Sequence, residues 1–255
     1  MTTLVRGHLR AVVLPDRWAM GAAAADHTAK RLLGLLERQS RVRVIFAAAA
    51  SQAEMLAELG GADGIDWARV DAFHLDEYVG LPLGHERSFG TWLDEHIWNR
   101  VHPGRVEKLD GGNPLGPEVE AARYSDLLAD GGIDLALLGI GENGHVAFND
   151  PHVADFTDPL AVKPVEIDDT SRHQQVRDGA FDSYEDVPRL ALSVTMSTIL
   201  ACRVISLVVP GGQKAAAVAA ALDGPVTTAC PASALRGHPD AMLFLDEDAA
   251  SMVDR

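Results

Sequence analysis

The sequence predicts an α/β protein, a single-domain, Rossmann-like and mostly parallel sheet with helices on both faces, and three observations predict it. Short runs rich in Val, Ile and Leu alternate with longer Ala- and Leu-rich stretches, the pattern of buried parallel strands joined by crossover helices. Of the 255 residues 47% are hydrophobic and 23% charged, enough to bury a substantial core. No internal period, Ser/Gly linker or sharp shift of composition divides the chain, so residues 1–255 read as one domain.

Taken in order, the apolar run Leu9–Leu14 is the first expected strand, and Arg17–Gln39, rich in Ala and Leu at helical spacing, is the first helix. The strand Val42–Ala47 leads through Ser51, a capping residue, into a helix over Gln52–Leu59. Arg69–Leu75 is a strand, Ser88–Val101 a helix and Val106–Leu109 a short strand. Pro117 stands where proline favours a first helical turn, so Pro117–Ala129 is a helix before the strand Ile133–Ile140. Strands over Leu190–Val194, Arg203–Val209 and Ala241–Leu245 alternate with helices over Gly212–Leu222 and Ala232–Arg236, completing the parallel sheet. Between Asn149 and Pro188, two Asp-Pro pairs, mixed charge and weak periodicity predict a long loop with a short helix near Thr170–Arg177. Such insertions often serve as lids or binding loops.

Charge narrows the function classes. Lys and Arg number 22 against 37 Asp and Glu, a formal charge of −15 that repels nucleic-acid backbones and anionic membrane surfaces, so neither is an expected partner. The longest unbroken apolar run, Ala215–Leu222, is far short of the roughly 18 residues of a membrane span, and the first residues carry no signal-peptide core, which predicts a cytoplasmic protein. Cys202 and Cys230 cannot make a disulfide framework and read as buried small hydrophobes, and no Cys or His spacing matches a zinc site.

After one predicted strand, Gly139-Ile140-Gly141-Glu142-Asn143-Gly144 satisfies the G-x-G-x-x-G spacing of a dinucleotide-binding turn. That turn requires its third glycine to open a long helix on the sheet, whereas Phe148-Asn149-Asp150-Pro151 breaks the chain a few residues later. The motif also lies mid-chain instead of in the first βα unit, which argues against a nicotinamide cofactor. These glycines can instead hold a tight turn at the carboxyl end of a strand and present His145 into the crevice where open α/β sheets bind ligands. The strand Arg69–Leu75 delivers Asp76 and Glu77 to the same edge, and two polar clusters at one edge make a site.

The segment Phe73-His74-Leu75-Asp76-Glu77-Tyr78-Val79-Gly80-Leu81-Pro82, together with Leu138–Pro151, resembles the glucosamine-6-phosphate deaminase (isomerase) family, whose fold is shared with 6-phosphogluconolactonases. Val209-Pro210-Gly211-Gly212-Gln213-Lys214-Ala215 resembles the family's late strand-to-helix turn with its lysine, and the resemblance runs in order from about Val42 to Asp246. It implies conversion of a hexosamine 6-phosphate to fructose 6-phosphate and ammonia in amino-sugar metabolism, with neither cofactor nor metal. By this resemblance Asp76 is the base that moves a proton between C2 and C1, and His145 opens the pyranose ring, a task suited to imidazole near neutral pH. Asn143 and Asp150 stand where the family orients that histidine, although each reads equally well as a turn residue or an Asx cap before Pro151. Asp150 is one methylene shorter than the glutamate of the family pattern, so either the backbone comes closer or the relay is weaker.

For the phosphate, the resemblance points to the loop after Val42–Ala47, where the expected Gly-Gly-Thr-Pro-like segment is replaced by Ala49-Ala50-Ser51-Gln52. Alanine keeps the N–H donors but disfavours positive φ, which predicts a tighter path for this loop, and Ser51 still offers a hydroxyl. Lys214 and Arg177 are the expected cations, with Arg172, about a turn away, as the substitute for the latter. Glu77 and Gly139 complete the expected substrate-binding set. Phe89, Trp92 and Trp98 share helical spacing and are assigned to the core, and His74, His85 and His96 to structure. A lactonase in which the histidine activates water, a non-deaminating sugar-phosphate isomerase and a non-catalytic sugar-phosphate sensor stay open as alternatives, and so does the oligomeric state, a homo-oligomer included.

Overall fold

The computed structural model describes residues 2–254. Its strands, in chain order, are β1 (Thr2–Arg6), β2 (Leu9–Leu14), β3 (Val42–Phe46), β4 (Val70–His74), β5 (Asp76–Tyr78) and β6 (Arg105–Glu107), then β7 (Leu135–Leu138), β8 (Val162–Glu166), β9 (Leu190–Val194), β10 (Val204–Val209) and β11 (Ala241–Asp246). Eight of them form one sheet in the order β1-β2-β11-β10-β7-β3-β4-β6. All neighbours in it run parallel except the hairpin β1–β2. Every residue of the central strands β7 and β10 is buried, which explains why they read as continuous apolar runs without alternation.

The helices are α1 (Arg17–Leu36), α2 (Ala53–Leu59), α3 (Phe89–Leu93), α4 (Asn99–Val101), α5 (Pro117–Ala129), α6 (Asp169–Arg177), α7 (Met196–Leu200) and α8 (Ala215–Asp223). The Asp16 carboxylate accepts the Ala19 N–H and fixes the start of α1. Apolar side chains alternate across the sheet, so Ala136 and Leu138 join one core layer while Leu135 and Leu137 join the other. None of the helices among the described residues is long and apolar enough to cross a membrane. Both cysteines are buried thiols.

The structure corrects several expectations. Leu190–Val194 is a strand but lies outside the main sheet, in an antiparallel three-stranded sheet ordered β5-β9-β8, so its apolar character reflects burial between layers. The segment from Asn149 to Pro188 is not one long loop, since it contributes β8 as well as α6. The helix expected over Ser88–Val101 is interrupted by a π-turn, Asp94–Trp98, between α3 and α4. Strands β1, β5 and β8 and helix α7 were too short or too mixed in pattern to be anticipated.

From β3 the chain proceeds outward through β4 to β6, then returns to the other side of β3 as β7 and continues to β10 and β11. The order therefore reverses between β3 and β7, and a crevice opens beyond their carboxyl ends, where ligands of open α/β sheets bind.

Candidate active site

A cavity of about 190 Å³ occupies that crevice. Four strand ends build it: β3 supplies Ala49, Ala50 and Ser51, Asp76 follows β4, β7 supplies Gly139 and His145, and Lys214 follows β10. The side chains from the two long motifs thus face one cavity.

The turn after β7 is closed by hydrogen bonds from Gly141 N–H to His145 O at 2.9 Å and from Gly144 N–H to Gly141 O at 3.0 Å. Gly144 has φ +84°, and a Cβ there would stand 2.7 Å from Cys230 Sγ, so glycine is required both by conformation and by space. No long helix follows, and Ala147, with φ +53°, holds a left-handed conformation that costs a non-glycine residue energy at the cavity wall.

His145 is anchored through Nδ1, which lies 2.8 Å from Asn143 Oδ1, 2.8 Å from Ser171 Oγ and 3.1 Å from Asp150 Oδ1. Asn143 Oδ1 also accepts the backbone N–H of His145 at 3.0 Å, and its Nδ2 donates to Asp150 Oδ1 at 2.9 Å. With its amide oxygen fixed as an acceptor facing Nδ1, the network assigns the proton to Nδ1 and leaves the Nε2 lone pair free to act as a base. Asp150 is fully buried and accepts further from Ser171 Oγ–H at 2.5 Å and Asp168 N–H at 3.0 Å. Burial opposes its charge, yet the bonds from His145, Asn143 and Asp168 hold its pKa down at about 2.

Asp76 and Glu77 are neighbours on β5 and face opposite ways, as strand residues must. Asp76 is buried at the cavity wall, and desolvation, reinforced by the charge of Glu77, raises its pKa well above the usual carboxylate range. The Glu77 carboxylate accepts N–H bonds from Tyr78, Phe89 and Gly90 at 3.0–3.1 Å, which ties it to the start of α3 and away from the cavity. Burial pushes its pKa to about 7 against those three donors. Its expected place among the substrate contacts is corrected: Glu77 seats the helix whose Phe89 and Trp92 line the cavity, two side chains that helical spacing alone assigned to the core. Trp98 is a core residue, as expected.

At the end of β3, Ala49 is extended at φ −163° and a 3₁₀ turn, Ala50–Gln52, runs directly into α2. Positive φ among the described non-glycine residues occurs only at His102 and Ala147, so alanine in place of glycine imposes no strained path here. The N–H groups of Ala50 and Ser51 head this helical segment, where partial positive charge gathers. Lys214 is buried at the cavity, with its pKa lowered by burial and partly supported by Asp178 and Glu142.

The other two expected cations are placed differently. Arg177 is half exposed and paired with Glu142, outside the cavity lining but near enough to Lys214 that its charge opposes that of the lysine. Arg172 is buried, donates to the carbonyl oxygens of Tyr184 and Val187 at 2.9 Å and stacks on the Tyr184 ring at 3.9 Å, so it is a structural tie. Sequence reasoning missed what α6 does contribute. Ser171 joins the histidine network, Gln174 Oε1 accepts Glu142 N–H at 3.0 Å, and Gln175 Oε1 accepts the Tyr78 hydroxyl at 2.6 Å. Ser171, Arg172, Gln174 and Gln175 are the buried residues of this polar helix, a burial for which its sequence carries no signal.

Residues 15–244 match the family model of glucosamine-6-phosphate isomerases/6-phosphogluconolactonase. A glucosamine-6-phosphate deaminase of Arthrobacter sp. (strain FB24) is 36% identical over 252 residues, covering 96% of this chain and 93% of that protein. Another, from Halothermothrix orenii, is 39% identical over 203 residues, covering 78% of this chain and 81% of that protein. The solved structure of a monomeric glucosamine-6-phosphate deaminase superposes with a TM-score of 0.87 at 27% identity, covering 95% of this chain and 99% of that one. That of 6-phosphogluconolactonase from Trypanosoma brucei superposes with a TM-score of 0.80 at 16% identity, covering 99% and 100%, a likeness of fold. The chain belongs to the glucosamine-6-phosphate isomerase/6-phosphogluconolactonase family.

Proposed function

We propose that the protein is a glucosamine-6-phosphate deaminase, releasing ammonia from the amino sugar phosphate and leaving fructose 6-phosphate. The observation that carries this reading is that a carboxyl group with a raised pKa, Asp76, and an imidazole anchored through Nδ1, His145, line one cavity that also contains a buried lysine. Proton abstraction beside a carbonyl needs such a carboxylate, and ring opening needs a base that can take a proton from one oxygen and return it to another.

In this scheme His145 Nε2 takes the proton of the C1 hydroxyl as the C1–O5 bond breaks and gives a proton to O5, leaving an open-chain aldehyde. Asp76 removes the C2 hydrogen and returns it to C1 while a proton passes from the amine nitrogen to O1, so that the C1 carbonyl becomes a hydroxyl and an imine forms at C2. Water adds to that carbon, the C–N bond breaks, and ammonia leaves. The N–H groups heading the Ala50–Gln52 turn, the Ser51 hydroxyl and Lys214 hold the phosphate, an arrangement suited to a dianion. Phe89 and Trp92 give the sugar an apolar wall. A lactonase needs no base at C2, so the buried Asp76 favours the deaminase over that alternative, and the named relatives above 30% identity are deaminases.

Incubation with glucosamine 6-phosphate and assay of both ammonia and fructose 6-phosphate tests the reading. Equimolar release, abolished in D76N, is expected. Hydrolysis of 6-phosphogluconolactone at a rate indifferent to D76N, with no ammonia from the amino sugar, would replace the deaminase by a lactonase.

A further inference from the structure

Asp150 is not the whole of the relay behind His145, because the structure supplies a second, closer member from a different segment. The Ser171 hydroxyl, fully buried on the first turn of α6, lies 2.8 Å from His145 Nδ1 and 2.5 Å from Asp150 Oδ1. The direct approach of Nδ1 to Asp150 Oδ1 is longer, at 3.1 Å. A hydroxyl has one proton to give and lone pairs to receive, so between an N–H and a carboxylate it takes one orientation, accepting from the imidazole and donating to the acid. We infer that Ser171 is a positioning residue for His145, its hydroxyl standing between Nδ1 and the Asp150 carboxylate and, together with Asn143 Oδ1, fixing the orientation of the imidazole in its Nδ1–H form.

The placement of Ser171 is itself enforced. Asp168 caps α6 by accepting Ser171 N–H at 3.1 Å, while the Asp168 backbone N–H donates to Asp150 Oδ2 at 3.0 Å. Asn143 Nδ2 reaches both Asp150 Oδ1 at 2.9 Å and Asp168 Oδ1 at 3.3 Å. The first turn of α6 and the turn after β7 are thus joined around one carboxylate, so the ring is oriented by two segments far apart in the chain. Buried polar networks of this kind, with every member paired, hold a single arrangement.

The inference rests on the reading that His145 opens the sugar ring, and a reciprocal substitution tests it. S171A is expected to lower kcat by about tenfold or more with KM changed less than about threefold, because the lost group touches the histidine and not the sugar. D150E alone is also expected to lose activity, since the added methylene drives its carboxylate into the Ser171 hydroxyl. The double variant S171A/D150E, in which a longer acid reaches Nδ1 unaided, is expected to recover most of the wild-type kcat. Nitrogen-15 NMR of the histidine ring provides a readout that needs no turnover: a single Nδ1–H resonance in the wild type, a displaced one in S171A, where Asn143 and the longer Asp150 contact are the remaining acceptors, and the wild-type form restored in the double variant. Wild-type kcat with an unchanged ring spectrum in S171A overturns the proposal, as does a double variant that melts like the wild type yet shows neither recovered kcat nor the restored ring form. Should the wild type release no ammonia, the deaminase reading fails, and the ring spectra alone decide the role of Ser171.

Discussion

The imidazole of His145 lies against the bare Cα of Gly141: a Cβ on residue 141 would stand 2.0 Å from Cε1 and 2.2 Å from Nε2 of that ring. No side chain fits, and the ring is held through Nδ1 by Asn143, Ser171 and Asp150. G141A must therefore push the imidazole out of its pocket or shift the turn. Loss of about 100-fold or more in kcat is expected, because misplacement of a reacting group by about 1 Å has that effect. Steady-state kinetics, with circular dichroism to verify the fold, measure it.

Asp76 ties activity and stability to pH in opposite directions. Its folded pKa is raised by burial and by Glu77, so the ionised base is lost on acidification at a pH above the ordinary carboxylate range. A plot of kcat/KM against pH is expected to fall on its acid side within that elevated region. The stability sign follows from linkage. A raised folded pKa favours the folded state fully only below the unfolded pKa, 3.8, and that contribution disappears as pH rises through the folded value. Above its folded pKa the wild type holds a desolvated charge that D76N lacks, so there D76N is expected to be inactive yet to melt higher, with the difference in Tm shrinking as pH falls through that value.

The fold was legible because burial on both sheet faces writes parallel strands as continuous apolar runs, as in Leu135–Leu138 and Val204–Val209. The small antiparallel sheet was not. β5 is three residues long, and β8 contains Lys163 and Pro164 within Val162–Glu166, so neither repeats long enough to register as a period. Asp76, His145 and Lys214 could be found because each follows a strand within a motif. Ser171 could not, since only the docking of α6 onto the turn after β7 brings it to His145, and a lone serine in a polar helix carries no pattern. Arg177 shows the complementary difficulty: a helical arginine can face either side, and this one pairs with Glu142 at the edge of the cavity, a placement that spacing does not fix.

Asp150 gives the opposite pH dependence from Asp76. Its pKa is lowered from 3.8 to about 2, so its ionised form stabilises the fold fully above the unfolded value, and this is lost as pH falls through the folded one. A shift of that size corresponds to about 2 kcal/mol. D150N is accordingly expected to cost about 2 kcal/mol in urea unfolding at pH 7, with the gap to the wild type closing between about pH 4 and pH 2.

Lys214 and Arg177 can be separated by experiment because one is buried at the cavity and the other is half exposed and already paired. A cation facing a phosphate dianion in a desolvated pocket contributes several times what an exposed ion pair does. K214M is therefore expected to raise KM for the sugar phosphate by about 100-fold or more, whereas R177A is expected to change it by less than about threefold. Turnover of unphosphorylated glucosamine, however slow, provides the control: K214M should leave it unchanged, because no phosphate is there to be held. Equal effects of the two substitutions on KM would move the phosphate toward α6 and away from the turn after β10.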